Sequence, residues 1–144
     1  MDELAPLADR WEVFAAACRR QDFATIDQLL AEAEASGSVK EVGRLLDFKS
    51  SQGMTVLLTS CRDGHLGVVS RLMAARADIE TTSRIEARPL WLASRHGYLG
   101  VVEMLLAAGA HTEAPNQVRT PLFMACLSGH LAVVEKLLTA GVQH

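Results

Sequence analysis

Apolar positions return along this chain in blocks. Gly64-His65-Leu66-Gly67-Val68-Val69 is followed by Gly97-Tyr98-Leu99-Gly100-Val101-Val102 and then by Gly129-His130-Leu131-Ala132-Val133-Val134. From Gly64 to Gly97 is 33 residues, and from Gly97 to Gly129 is 32. Upstream of each block stands a matching segment, Thr55-Val56-Leu57-Leu58, Arg88-Pro89-Leu90-Trp91 and Thr120-Pro121-Leu122-Phe123, and downstream the pairs Leu72-Met73, Leu105-Leu106 and Leu137-Leu138 repeat as well. A period near 33 held over three units marks an array of stacked supersecondary units.

Each unit reads as two short helices. Pro89 and Pro121 sit where a first helical turn tolerates a missing N–H, and a short apolar run follows each. Gly64, Gly97 and Gly129 then break the chain. Leu66, Val69, Leu72 and Met73 restart an i, i+3, i+6, i+7 stripe, which makes the second helix amphipathic. One such pair cannot bury its own apolar face, so neighbours must stack and share a continuous core.

The first fifty residues read as a divergent opening unit. Asp9-x-x-Glu12 has the spacing of a capping box ahead of Trp11, Val13, Phe14 and Ala17, and Phe23, Ile26, Leu29 and Leu30 match the second-helix columns when Gln21 is aligned with Gly64. From Leu30 to Gly53 is 23 positions against 13 from Met73 to Glu86, so about ten residues are inserted. Ser38-x-x-Glu41 is a second capping box, and Val39, Val42, Leu45 and Leu46 form a short apolar face, which predicts an extra helical turn or two.

On these residues the chain resembles the ankyrin-repeat family, whose unit carries T-P-L-H-x-A, a Gly-His-Leu turn, an apolar second helix and a closing Gly-Ala. The resemblance is good over residues 50 to 144. It implies an all-α solenoid of helix–turn–helix units joined by short β-hairpin-like loops. The division is residues 1–50 as a capping repeat with the insertion, then three repeats at about 51–83, 84–115 and 116–144.

Departures from the family pattern are specific. Val56 stands for the usual Pro, Arg88 for the usual Thr, and Arg76 for a closing Gly whose left-handed backbone costs a non-Gly residue roughly 1 kcal/mol. The missing residue of the last period falls between Gly109 and Thr120, beside Pro115, so that finger is expected to be reshaped. The histidine of T-P-L-H is replaced by Leu58, Trp91 and Phe123. That column either packs first helices together or forms a partner-facing row, with Trp91 as the anchor; an exposed indole favours the second reading.

Composition narrows the function. Half the chain is apolar (49%) with 22% charged residues, enough for a packed core, and no run approaches the roughly 18 apolar residues of a membrane span. A net charge of -3 gives no reason to expect nucleic acid. The acids gather early: ten acids and six bases in residues 1–50, against seven and eight in 51–144, which reads as a solvated cap. Cys18, Cys61 and Cys126 share one small-residue column with Ser94, which reads as packing rather than disulfide formation and fits a reducing compartment. The expected location is the cytoplasm, with the nucleus as the alternative.

Chemistry is sparse. There is no phosphate-binding G-x-x-x-x-G-K-[ST], no H-E-x-x-H and no G-x-S-x-G. His65, His96 and His130 read as turn or helix-end residues. No catalytic residue, cofactor or metal is expected, and the chain is read as no enzyme. The family resemblance implies a concave face built from fingertips and first-helix ends. By column these are Gln52, Met54, Arg84, Ala87, Gln117 and Arg119 at the fingers, with Trp91 and the pairs Arg62 with Asp63, Arg95 with His96, and Leu127 with Ser128 on the helices.

Their mixed character suits a protein or peptide partner, in adaptor, scaffold or inhibitor duty. Two alternatives are a small-molecule or nucleotide sensor, with Trp91 stacking a ring and Arg62 or Arg95 taking an anion, and the substrate-recognition part of a ubiquitin-ligase adaptor. The last unit shows no polar cap, since Leu122, Phe123, Met124, Leu127, Leu131, Val134, Leu137 and Leu138 are as apolar as an internal unit. Further repeats or self-association are therefore expected to cover that face.

Overall fold

The computed structural model describes residues 4–35, 39–113 and 120–142. Among them are nine helices and no strand: α1 (Leu4–Arg20), α2 (Phe23–Ala35), α3 (Val39–Asp47), α4 (Val56–Asp63), α5 (Leu66–Ala74), α6 (Pro89–His96), α7 (Leu99–Ala107), α8 (Pro121–Ser128) and α9 (Leu131–Val142). First helices α1, α4, α6 and α8 stack in one layer, and α5, α7 and α9 in a second. The eight-residue first helices α4 and α8 start where the sequence supplies a cap. Thr55 Oγ1 accepts from the Leu58 N–H at 3.2 Å, and Thr120 Oγ1 accepts from that of Phe123 at 3.1 Å. Arg88 gives α6 no such bond, but Pro89 at the first position removes one of the donors needing a partner.

The corners between paired helices need a left-handed backbone. Gly64 and Gly97 take it at φ 75° and 79°, and they are also points of close approach. A Cβ on Gly64 would lie 2.5 Å from the Tyr98 ring, and one on Gly97 would lie 2.4 Å from His130 Nδ1. The turn residue of each unit thus sits on the corner glycine of the unit before it. Gln21 at φ 56° occupies the corresponding corner of the first pair, and Arg76 at φ 71° takes the left-handed position expected of it.

The core runs through the stack without a break. Phe14 and Ile26 from the first pair continue into Leu57, Val68, Val69 and Leu72, then Leu90, Val101, Val102 and Leu105, and end at Val133 and Leu137. Each large apolar side chain buried there contributes about 1.5–3 kcal/mol. Cys18 and Cys61 lie in this core, and burial pushes the Cys18 thiol up to about 12, against a small opposing effect of Arg19; burial raises Cys61 too. A second apolar cluster of Leu58, Ala87, Trp91, Leu92 and Met124 fills the space between first helices and fingers.

The opening unit departs from its expected start. Helix α1 begins at Leu4, so Asp9 lies within the helix and does not cap it. Capping-box spacing also occurs inside helices, where both side chains are exposed. Helix α3 occupies the inserted segment and buries Val42, Leu45 and Leu46, while Ser38 lies outside the described residues. Arg10 Nη1 reaches Glu41 Oε2 at 3.0 Å across α1 and α3, and Trp11 packs on Phe48 with ring centroids 4.7 Å apart. The column expectation for Cys126 is also corrected: it is exposed, because the described chain places no unit beyond it.

Candidate functional site

Two hairpin fingers are described. In the first, the Ser50 N–H donates to the Met54 carbonyl at 2.9 Å and the Gly53 N–H to the Ser50 carbonyl at 2.8 Å. Ser50 Oγ also accepts from the backbone N–H groups of Gln52 and Met54. Gln52 is exposed, whereas Met54 is half-buried against the second cluster. The second finger repeats the pattern, with the Ser83 N–H donating to the Ala87 carbonyl at 3.0 Å and that of Glu86 to the Ser83 carbonyl at 2.9 Å.

Arg84 is exposed at the second tip, but Ala87 is 1% exposed. Its expected place among the contacts is corrected: its methyl group belongs to the core at the finger's base. Gln117, Arg119 and Pro115 of the third finger lie outside the described residues. The finger bases are tied together. Lys49 Nζ donates to the Thr82 carbonyl at 2.9 Å, and Glu80 accepts from Arg88 Nη1 at 3.2 Å and from the His111 backbone N–H at 2.9 Å.

At the helix ends, Arg62 Nε meets Asp63 Oδ1 at 3.1 Å. Arg95 and His96 are exposed one unit further on, followed by Leu127 (66% exposed) and Ser128. Partial burial lowers the His96 pKa, and the Arg95 and Arg62 guanidiniums lower it further; Asp63 opposes them and His130 adds slightly. His130 Nε2 bonds the Arg95 carbonyl at 3.0 Å, which fixes the end of α6 to the next unit.

Trp91 is the main correction. It is 9% exposed, packed with Leu58 and Met124, and the Arg95 guanidinium lies 5.5 Å from its ring centroid. It is neither a partly exposed anchor nor a free platform for stacking a ring. Leu58 is likewise buried, while Phe123 in the same column is 47% exposed.

Two further features lie outside the repeat columns. Ile85 is 70% exposed between Arg84 and Glu86; a β-branched residue in a loop tip was its signal. A cavity of about 210 Å³ opens between α1 and α4, its walls including Trp11, Arg19, Ser50, Thr59, Arg62 and Asp63. Sequence gives no signal for it, because it lies between elements of two units and depends on how they pack. Among the described residues no group of three or more His, Cys, Asp or Glu could hold a metal ion, and no helix is long and apolar enough to cross a membrane.

A family model described as ankyrin repeats (3 copies) matches residues 13–116 and 85–144. No curated protein matches the chain.

Proposed function

The chain belongs to the ankyrin-repeat family, and on that premise we propose that it is a non-enzymatic interaction module whose fingers and first-helix ends bind a protein segment. Members of this family are in general protein–protein interaction modules. We read residues 1–50 as the capping unit and 51–83, 84–115 and 116–144 as the repeats.

One observation carries the proposal for this chain. Gln52, Arg84, Ile85, Arg95 and His96 are exposed on supports whose own residues are buried or hydrogen-bonded. Such a surface is ordered before it meets a partner, so association loses less conformational entropy. Two guanidiniums, an amide and an imidazole around one large exposed apolar residue suit a polypeptide surface. Adaptor, scaffold and inhibitor are all duties such a surface can serve. Buried Trp91 removes the stacking contact that a ring-binding sensor would use. Two buried thiols at Cys18 and Cys61 accord with a reducing compartment, and we place the protein in the cytoplasm or nucleus.

The test is a comparative capture from native lysate. Arg84→Glu with Arg95→Glu is expected to lose the partners recovered by the unaltered chain. Ser70→Lys with Ala107→Lys, on exposed positions of α5 and α7, is expected to keep them. Equal recovery by both variants would place the binding surface elsewhere.

A further inference from the structure

The inner side of the stack is filled unevenly. Between α4, α6 and α8, the space is closed by Leu58, Trp91 and Met124. Between α1 and α4 a cavity of about 210 Å³ remains instead. At roughly 30 Å³ per water that is about seven waters, room for one side chain and less than the roughly 300–1,000 Å³ of a drug-sized site.

The cavity's chemistry is lopsided toward donors. Trp11 Nε1 is buried and has no hydrogen-bond acceptor among the described residues, although an indole N–H can only donate. Among the described residues Arg19 pairs with no carboxylate. Ser50 Oγ already accepts two backbone N–H groups, so its proton remains to be given. Arg62 meets Asp63 through Nε, and among the described residues neither terminal nitrogen has a partner. Asp63 is the one carboxylate on the wall, and it is already paired. Arg19, Arg62 and Asp63 together leave one net positive charge, which matches a monoanion better than a phosphate dianion. Ala15, Met54 and Val56 add an apolar wall that suits methylene groups.

We propose that this cavity receives the carboxylate side chain of a glutamate in an extended partner segment. The proposal rests on the reading of this side of the stack as the partner-binding face. Arg19 and Arg62 take the charge, Ser50 donates to it, and a small opening of the α1–α4 joint brings the Trp11 N–H within reach. The joint thereby selects an acidic residue at one register of the bound segment, while the fingers beyond it contribute area.

The test follows the indole N–H resonances of Trp11 and Trp91 in the full ¹⁵N-labelled chain at constant ionic strength. N-acetyl-glutamate methylamide is the probe, with N-acetyl-glutamine methylamide as its neutral isostere. The glutamate probe is expected to move the Trp11 resonance saturably and leave Trp91 in place; the glutamine probe should move neither. Arg19→Met with Arg62→Met keeps the aliphatic stems and is expected to weaken the response about tenfold, the worth of a charge-assisted hydrogen bond. Equal responses to the two probes, an unchanged response in the double variant, or no saturable shift would overturn the proposal. So would a stronger response to inorganic phosphate or to N-acetylglycine, whose carboxylate is terminal. Failure here alongside loss of partners in the Arg84→Glu, Arg95→Glu capture would sink the glutamate pocket and leave the face intact. Retained capture would sink the face reading itself.

Discussion

The two ends of this stack are built from the same columns and meet opposite surroundings. At the N-terminal end α3 packs beside α1, Trp11 lies against Phe48, and Cys18 is buried. At the other end Phe123, Leu127, Leu131 and Leu138 are 47 to 76% exposed, and Cys126 with them. Residue type does not separate the ends, because cysteine and large apolar groups occupy both. A column in a solenoid acquires its burial from the next unit, so the same letter is core in one repeat and surface in another.

The largest contrast is expected between a leucine truncated inside the stack and one truncated at its open end. Leu105→Ala, fully buried in α7, is expected to cost about 2–5 kcal/mol of unfolding free energy in denaturant titration. Leu131→Ala at the exposed end should stay within about 0.5 kcal/mol. Similar losses at both positions would show that another surface covers the C-terminal face in solution. A second pair sharpens the point on backbone geometry. Gly129→Ala meets only the left-handed penalty of about 1–2 kcal/mol, since nothing lies within 4 Å of its added Cβ. Gly97→Ala meets that penalty and the His130 ring, so it should be the more damaging by thermal melt. Adding His130→Ala to it should recover part of the difference.

A thiol titration reads the same contrast with a smaller signal. Cys126 is expected to react with an aromatic disulfide reagent at once, and Cys18 and Cys61 only as the chain unfolds. Rapid modification of Cys18 alongside Cys126 would mean that the first unit opens on its own. The alkaline limb should follow. Because the folded Cys18 pKa lies above its ordinary value, its contribution is complete below about pH 9 and is lost as pH rises toward about 12. Cys18→Ala should flatten that limb.

The smallest effect concerns the turn column itself. Asp22 caps its own helix, accepting from Thr25 Oγ1 at 2.6 Å and from the Thr25 N–H at 3.3 Å, whereas His65 and Tyr98 in that column make no such bond. The Thr25 hydroxyl, followed by its N–H, lowers the Asp22 pKa below 3.8. Its contribution is therefore present above that value and is lost as pH falls through the folded-state pKa. Asp22→Asn should reduce the acid sensitivity of the denaturation midpoint slightly; an unchanged acid limb would mean that the bond carries no net stability.

Much of the fold is legible in the sequence because its causes are local and repeated. Pro89 and Pro121 open helices, Gly64, Gly97 and Gly129 turn corners, and the apolar columns recur at a fixed interval. The candidate site is less legible because exposure is decided between units. Trp91 has the composition of an anchor and the environment of a core residue, since Leu58 and Met124 from neighbouring units close over it. Ala87 stands in a finger column yet turns inward. The α1–α4 cavity is walled by residues of two elements and the finger between them, and a period read along one chain does not describe the gap left between neighbours.

Glu80 serves two masters: one oxygen takes Arg88 Nη1 and the other takes the backbone of His111 in the following loop. Together with the Lys49–Thr82 bond, this carboxylate joins the base of each described finger to the loop that follows it. Stiffness at the finger bases is thus shared between neighbours rather than held by each loop alone.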